Sequence, residues 1–228
     1  MKNPQQTKRK IVAITILVVT ALTLLLGAFP RSADAHASTT TTSPANGAAL
    51  GASPQTVSVS FNEPVTTDAS RVQLVNSTGR VVPSTWRSVD AGKRHELLPI
   101  KALAPGSYAL RWSVTSEDGH IVTGAASFNV RRADAAKRNT RVKLSTGGAG
   151  TDLTIGTNKA GRTTVTATGR KFTTIEFTNK TLGATLRYPF AGGTATVVLP
   201  IKGAWTVTAI EKPSEYTETR WTGSFKLG

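Results

Sequence analysis

This sequence of 228 residues predicts an all-β chain: two consecutive small antiparallel β-sandwich domains of Ig-like character behind an N-terminal signal peptide. Three observations predict it. Polar and apolar residues alternate with period two in run after run, as in strands with one buried face. Midway, Arg131-Arg132-Ala133-Asp134-Ala135-Ala136-Lys137-Arg138 breaks that alternation with a cluster of charge. At the start, Lys2, Lys8, Arg9 and Lys10 precede an apolar run, Pro30 and the small-residue site Ala33-Asp34-Ala35, the layout of a secretory signal. The expected division is residues 1–35 signal peptide, 36–131 first sandwich, 132–148 charged and Gly-rich linker, and 149–228 second sandwich.

The apolar run covers residues 11–29, about 28 Å as a helix. That just matches a bilayer core of about 30 Å, so an uncleaved signal is the one expected route to the membrane. Gly27 and Pro30 break the helix and lead straight into the small-residue site, which favours cleavage after Ala35. Export to the periplasm, or to the outer face of the cytoplasmic membrane or cell wall, follows, and His36 becomes the first residue.

After His36 a Thr/Ser-rich lead and Pro44-Ala45-Asn46-Gly47 form a turn-rich entry. Residues 56–61 alternate as Thr-Val-Ser-Val-Ser-Phe, and Asn62-Glu63-Pro64 ends that strand. Residues 71–75 repeat the pattern, residues 76–79 turn the chain, and extended pieces follow at 81–82 and near 95–98. Tyr108, Leu110, Trp112 and Val114 then alternate with Ala109, Arg111, Ser113 and Thr115, the clearest strand in the chain and the expected centre of the first sandwich. Gly124, Ala126, Phe128 and Val130 mark its hairpin partner.

In the second half, residues 153–156, 163–167, 173–177, 194–199, 205–210 and 221–225 alternate in the same way, with turns such as Asn158-Lys159-Ala160-Gly161 between runs. This half has no histidine, cysteine or methionine. Its carboxylates Asp152, Glu176, Glu211, Glu215 and Glu218 have no paired spacing, so it carries no visible constellation for chemistry.

The formal charge is +15, and the chain from His36 onward stays strongly basic. In an exported protein such a balance serves solubility or contact with anionic polymer and lipid headgroups. Lys and Arg are scattered without the interleaved aromatics of a nucleic-acid platform, so no specific nucleic acid is expected. Cysteine is absent and Met1 is the only methionine, which excludes disulfides and thiolate or thioether metal sites. Any transition-metal site from residue 2 onward has to be built from nitrogen and oxygen, donors that suit an oxidised, borderline ion.

Two stretches offer those donors. A free α-amine and an imidazole on His36 would chelate copper(II) through nitrogen, in the tetragonal arrangement that ion prefers. Ser116-Glu117-Asp118-Gly119-His120 puts a carboxylate and an imidazole two residues apart, in the connection between two strong strands at one end of the first sandwich. Loops on a rigid scaffold are where function usually sits, and Gly119 tolerates the dihedrals that aim Asp118 and His120 at one spot. Together the two stretches are expected to complete one copper site. His95, in Lys93-Arg94-His95-Glu96, is expected to be a solvated strand-edge histidine whose removal costs neither copper nor fold.

With these residues in view, the segment from His36 to about Val130 resembles the CopC family of exported copper-resistance proteins. The resemblance rests on His36-Ala37, Ser43-Pro44-Ala45-Asn46-Gly47, Phe61-Asn62-Glu63-Pro64-Val65, Leu103-Ala104-Pro105-Gly106-Ser107-Tyr108 with Trp112, and Ser116-Glu117-Asp118-Gly119-His120 followed by Gly124 and Phe128. It implies a Greek-key sandwich that binds one copper(II) ion through the amine and imidazole of His36 with Asp118 and His120. It also implies a weak axial or neighbouring role for Glu63. The methionine-rich copper(I) site of some members has no counterpart in this chain.

The function expected from the sequence is a copper(II)-binding protein that sequesters the ion or delivers it to a membrane partner such as a copper permease. That makes it a carrier and not an enzyme. Two rivals stand beside it. One is a copper-dependent oxidative enzyme of the lytic polysaccharide monooxygenase kind, which also begins with histidine. The other is a metal-free Ig-like wall or adhesion module. Asp118 argues against the first, because an in-plane carboxylate takes the room that oxygen would need. The ordered set of matching motifs argues against the second.

Overall fold

The computed structural model describes residues 37–68, 71–130, 139–157 and 162–227. The expected signal peptide, His36, the first part of the expected linker and the turn at 158–161 lie outside them. The all-β expectation holds: sixteen strands and a single 3-10 turn, Asp90–Gly92, make up the described regular structure. Among the described residues no helix is long and apolar enough to cross a membrane.

The first module contains β1 (Thr39–Ser43), β2 (Ala48–Leu50), β3 (Val57–Phe61), β4 (Val72–Asn76), β5 (Ser84–Val89), β6 (Arg94–Pro99), β7 (Gly106–Thr115) and β8 (Ile121–Val130). One sheet has the order β1-β3-β6-β5 and faces a second in which β8, β7 and β4 are neighbours, with β2 running parallel beside β8. Val57, Val59 and Phe61 alternate inward from β3 and meet Tyr108, Leu110, Trp112 and Val114 of β7 in one buried cluster. The period-two pattern of these runs is therefore the register of the core. The Thr/Ser-rich lead, expected as irregular entry, is strand β1, paired antiparallel with β3 from Thr39↔Phe61 to Ser43↔Ser58.

The β7–β8 hairpin runs in register from Gly106↔Val130 to Thr115↔Ile121, so its connection is the Ser116–His120 segment. Gly124 faces Trp112 across this pair, and a Cβ at Gly124 would come within 2.4 Å of the indole Cζ2. Only glycine lets that ring lie against the strand.

The second module contains β9 (Asn139–Thr146), β10 (Ala149–Thr157), β11 (Thr163–Ala167), β12 (Phe172–Asn179), β13 (Ala184–Pro189), β14 (Thr194–Val197), β15 (Gly203–Ser214) and β16 (Thr217–Leu227). Its strand order is β14-β11-β10-β9-β16-β15-β12-β13, and the two ends approach each other around a core centred on Trp205, Phe177, Ile175 and Leu153. The linker expected at 132–148 is corrected over its second half: Val142 and Leu144 turn inward from β9 despite charged neighbours. Strand β13 had no expected counterpart.

His36–Gly228 forms one compact unit. Strand β13 continues the first module's sheet by a parallel pairing, Leu186↔Ala125, on β8. Val75, Ala109 and Ala125 of the first module are buried in the same cluster as Phe177, Leu186 and Tyr188 of the second.

Candidate functional site: a carboxylate and imidazole at one end of the first module

At the end of β7, Thr115 exchanges backbone hydrogen bonds with Thr66, 2.8 and 2.9 Å, and the chain enters the 116–120 loop. The loop closes on itself. Ser116 N–H donates to the His120 carbonyl and Gly119 N–H to the Ser116 carbonyl, both at 2.9 Å. Gly119 has φ +85°, a left-handed conformation that glycine adopts without steric cost and that turns the chain between Asp118 and His120.

Within this frame Asp118 is held at both oxygens. The buried Ser116 hydroxyl donates to Oδ1, and the His120 backbone N–H donates to the same oxygen at 3.2 Å. Oδ2 lies 3.0 Å from His120 Nδ1. The Ser116 hydroxyl, foremost, and the His120 contacts push the Asp118 carboxyl down to about 2, because hydrogen bonds to the charged form favour it. With Nδ1–H directed at the carboxylate, the lone pair of the His120 ring is left on Nε2. A carboxylate that fixes the tautomer and orientation of an imidazole is what a metal-binding histidine requires. The His120 side chain is 65 % exposed and the Asp118 side chain 25 %, so the pair faces solvent.

Two further segments reach this end. Asn62 Oδ1 accepts from Ser38 N–H at 2.6 Å, and Asn62 N–H donates to the Ser38 carbonyl at 3.1 Å. The N-terminal arm is thereby fixed two residues after His36. Glu63 follows Asn62 in the short segment from β3 to the Thr66–Thr115 bridge, so its backbone lies between the arm and the strand that enters the loop. Glu63 is half-buried, and its Oε1 is buried without a hydrogen-bond partner. Among the described residues no group of three or more His, Cys, Asp or Glu side chains could hold a metal. Asp118 and His120 are brought together as a pair, while His36 lies outside the described residues.

His95 corrects the sequence expectation. It sits on β6, between β3 and β5 and not at a sheet edge, with 1 % of its surface exposed. Its ring stacks on Trp86 at 5.9 Å and 8° and meets Phe61 edge-on at 6.0 Å. The reason is register: His95 pairs with Val59 and Leu97 with Val57, both inward, while Arg94 and Glu96 take the other face and pair with each other. Both imidazole nitrogens are buried, and burial pushes the ring's pKa below its usual 6.5, offset in part by the Gly92 backbone.

Ser116 is a residue of the candidate site whose contact with Asp118 the sequence alone does not single out. It lay inside the quoted motif, yet nothing in a linear string marks its hydroxyl as a buried donor. Its place just before the loop, at an inward position of the alternation that carries Trp112 and Val114, was the available signal.

A small sandwich that presents a paired carboxylate and imidazole from the hairpin of its central strands defines the structural class. The chain belongs to the CopC family: the CopC domain matches residues 39–131. It is 32 % identical over 127 residues to "Copper resistance protein C" of Xanthomonas campestris pv. juglandis, covering 53 % of this chain and 95 % of that protein. It is 30 % identical over 116 residues to "Copper transport protein CutJ" of Bacillus subtilis, covering 50 % of this chain but only 21 % of that protein. The solved CopC of Methylosinus trichosporium OB3b is 29 % identical, covering 44 % of this chain and 99 % of that one, with a TM-score of 0.38.

Proposed function

We propose that this chain is an exported copper protein of copper resistance or transport that carries one copper(II) ion at the end of its first module. Copper is cargo and not a catalytic cofactor. The donors are the α-amine and imidazole of His36, with Asp118 and His120, and Glu63 stands beside them as a weak axial group. The observation that carries the reading is the Asp118–His120 pair, 3.0 Å apart, at the same end as the anchored N-terminal arm.

Three chemical facts support it. An imidazole whose Nδ1–H faces the Asp118 carboxylate, with its lone pair on Nε2, and a strongly acidic carboxylate suit copper(II), a borderline ion that favours nitrogen and oxygen. Each carboxylate oxygen has two lone pairs, so accepting from Nδ1–H does not consume the Asp118 donor capacity. The sequence from residue 2 onward has no sulfur to hold copper(I). Such a site gives up its metal on reduction, which fits sequestration in an oxidising compartment or delivery to a membrane partner, and makes the protein a carrier.

The test is the N-terminus. Chain beginning at His36 is compared with chain carrying one added residue, by competition titration of copper(II) against a chelator. The addition turns the amine into an amide and removes its donor pair, so affinity is expected to fall by at least about a hundredfold, roughly 2.7 kcal/mol. Equal affinity would remove the amine from the site.

A further inference from the structure

Among its described residues the second module gathers no His, Cys, Asp or Glu cluster that could hold a metal, yet it is bound to the first in a way that a tethered independent domain would not need. The outward face of the β4-β7-β8 sheet carries the small residues Val75, Ala109 and Ala125, all buried against the second module. Strand β8 is buried continuously from Ala125 to Val130, as a strand covered on both faces should be. The polar groups at this junction are matched across it. Ser127 Oγ contacts the Tyr188 hydroxyl and lies 2.6 Å from the Val198 carbonyl, and Tyr188 accepts from Val198 N–H at 3.2 Å. Arg111 holds Gln73 Oε1 with Nε and Nη2 and donates from Nη1 to the Leu182 carbonyl at 2.8 Å. Parting the modules would break the Ser127 bonds to Tyr188 and Val198 and the Arg111 bond to Leu182, and expose the apolar face, so the contact has the makeup of a permanent interface.

Asn46 joins this interface to the two strands, β1 and β8, that run to the candidate site. Its Oδ1 accepts from Ser127 N–H on β8, and its Nδ2 donates to the Arg187 carbonyl on β13, both at 2.9 Å. Gly47 N–H adds a 2.7 Å bond to the Ser127 carbonyl. Asn46 lies just beyond β1, whose other end leads to His36, and β8 begins one residue after His120. The Asn46 side chain thus ties β8, the strand that leaves the 116–120 loop, to the second module, and its backbone follows closely on β1, the continuation of the N-terminal arm.

We propose that residues 139–227 are an internal brace for the copper site, with docking of β13 on β8 coupled through Asn46 to the relative placement of the N-terminal arm and the His120 loop. The inference rests on the copper reading above for its functional half, and on the interface alone for its structural half. By linkage, copper then stabilises the second module as well as the first, and loosening the junction weakens copper.

The test uses the full chain from His36, with Asn46→Ala and Tyr188→Phe as variants. Wild type is expected to unfold in one calorimetric transition that copper(II) raises as a whole. Each variant is expected to lose about fivefold or more in copper(II) affinity by chelator competition, with amides of residues 121–126 exchanging faster in the metal-free chain. Two separate transitions, of which copper raises only one, would overturn the brace. So would undiminished copper affinity in both variants. If wild type takes no copper(II), the functional reading falls. The transitions and the amide exchange of metal-free Asn46→Ala then decide the structural half: one transition with faster exchange upholds it, and two transitions or unchanged exchange sink it.

Discussion

His120 and His95 stand in equally polar surroundings in the sequence, Glu-Asp-Gly-His and Lys-Arg-His-Glu, and the fold sends them to opposite fates. His120 follows a glycine in a hairpin connection, where no strand register applies, and its side chain is 65 % exposed beside a carboxylate. His95 lies mid-strand, where every second side chain must turn inward, and it is 1 % exposed between Trp86 and Phe61. A histidine's charged neighbours therefore say little about its environment inside a strand. Register decides there, and loop chemistry decides where register ends.

The sharpest way to break this contrast is to truncate both rings. His120→Ala is expected to lower copper(II) affinity by about a hundredfold or more, roughly 2.7 kcal/mol, while leaving the unfolding midpoint of metal-free protein almost unchanged. His95→Ala is expected to do the reverse. It empties a packed aromatic site and costs about 2–4 kcal/mol of stability, by analogy with large-to-small core changes, with copper affinity intact when measured well below the midpoint. Parallel copper titrations and denaturant melts check both, and loss of copper in His95→Ala at a temperature where it is folded would place His95 in the site.

Ser116→Ala should give the intermediate effect. It removes the donor that fixes Asp118 Oδ1, and loss of a partner that orients a metal-binding group typically costs about 10–100-fold in affinity. Ser116→Thr, which keeps the hydroxyl, should recover most of it. Electron paramagnetic resonance of the copper(II) forms distinguishes a misplaced donor from a merely weaker site. If Ser116→Ala binds with unchanged affinity and spectrum, the serine only closes the loop.

The strands with clean alternation were legible: β3, β4, β7, β11, β12 and β15 all rest on period-two runs whose apolar members form the two cores. Strand β1 was not, because Thr39–Ser43 has no apolar alternation and is a strand by virtue of pairing with β3. Val142 and Leu144 do alternate in β9, but Arg141 and Lys143 made that segment resemble more linker. The junction of the modules is written in Ala109, Ala125 and Ser127, residues too small to carry a hydropathy signal, and in partners 60 to 80 positions away, such as Tyr188 and Asn46. In the candidate site the Asp118–Gly119–His120 motif was legible, because local spacing alone brings its side chains together. The Ser116 contact and the burial of His95 depended on which face each residue takes.

The smallest expected effect is a pH dependence that separates Asp118 from His95. The Asp118 carboxyl is depressed in the folded chain to about 2 from 3.8, so the unfolded state binds its proton first as pH falls, and the stability it contributes is lost between those values. The His95 ring is also depressed, here from 6.5, because its neutral form is what the apolar box accepts. The unfolded chain again takes the proton first, so His95 costs stability progressively as pH falls through about 6.5, well above the Asp118 window. Trp86 and Phe61, the rings against it, carry no charge, and Arg94 and Glu96 on the opposite face of β6 are ion-paired, so the Gly92 backbone offsets the cost only in part. Metal-free wild type should therefore lose stability between about pH 7 and 5, and His95→Phe, which keeps a ring in the box without a titrating nitrogen, should lose less over the same range. Denaturant melts at half-unit pH steps decide it: parallel slopes for the two proteins would mean that the acid sensitivity arises outside the first module's core.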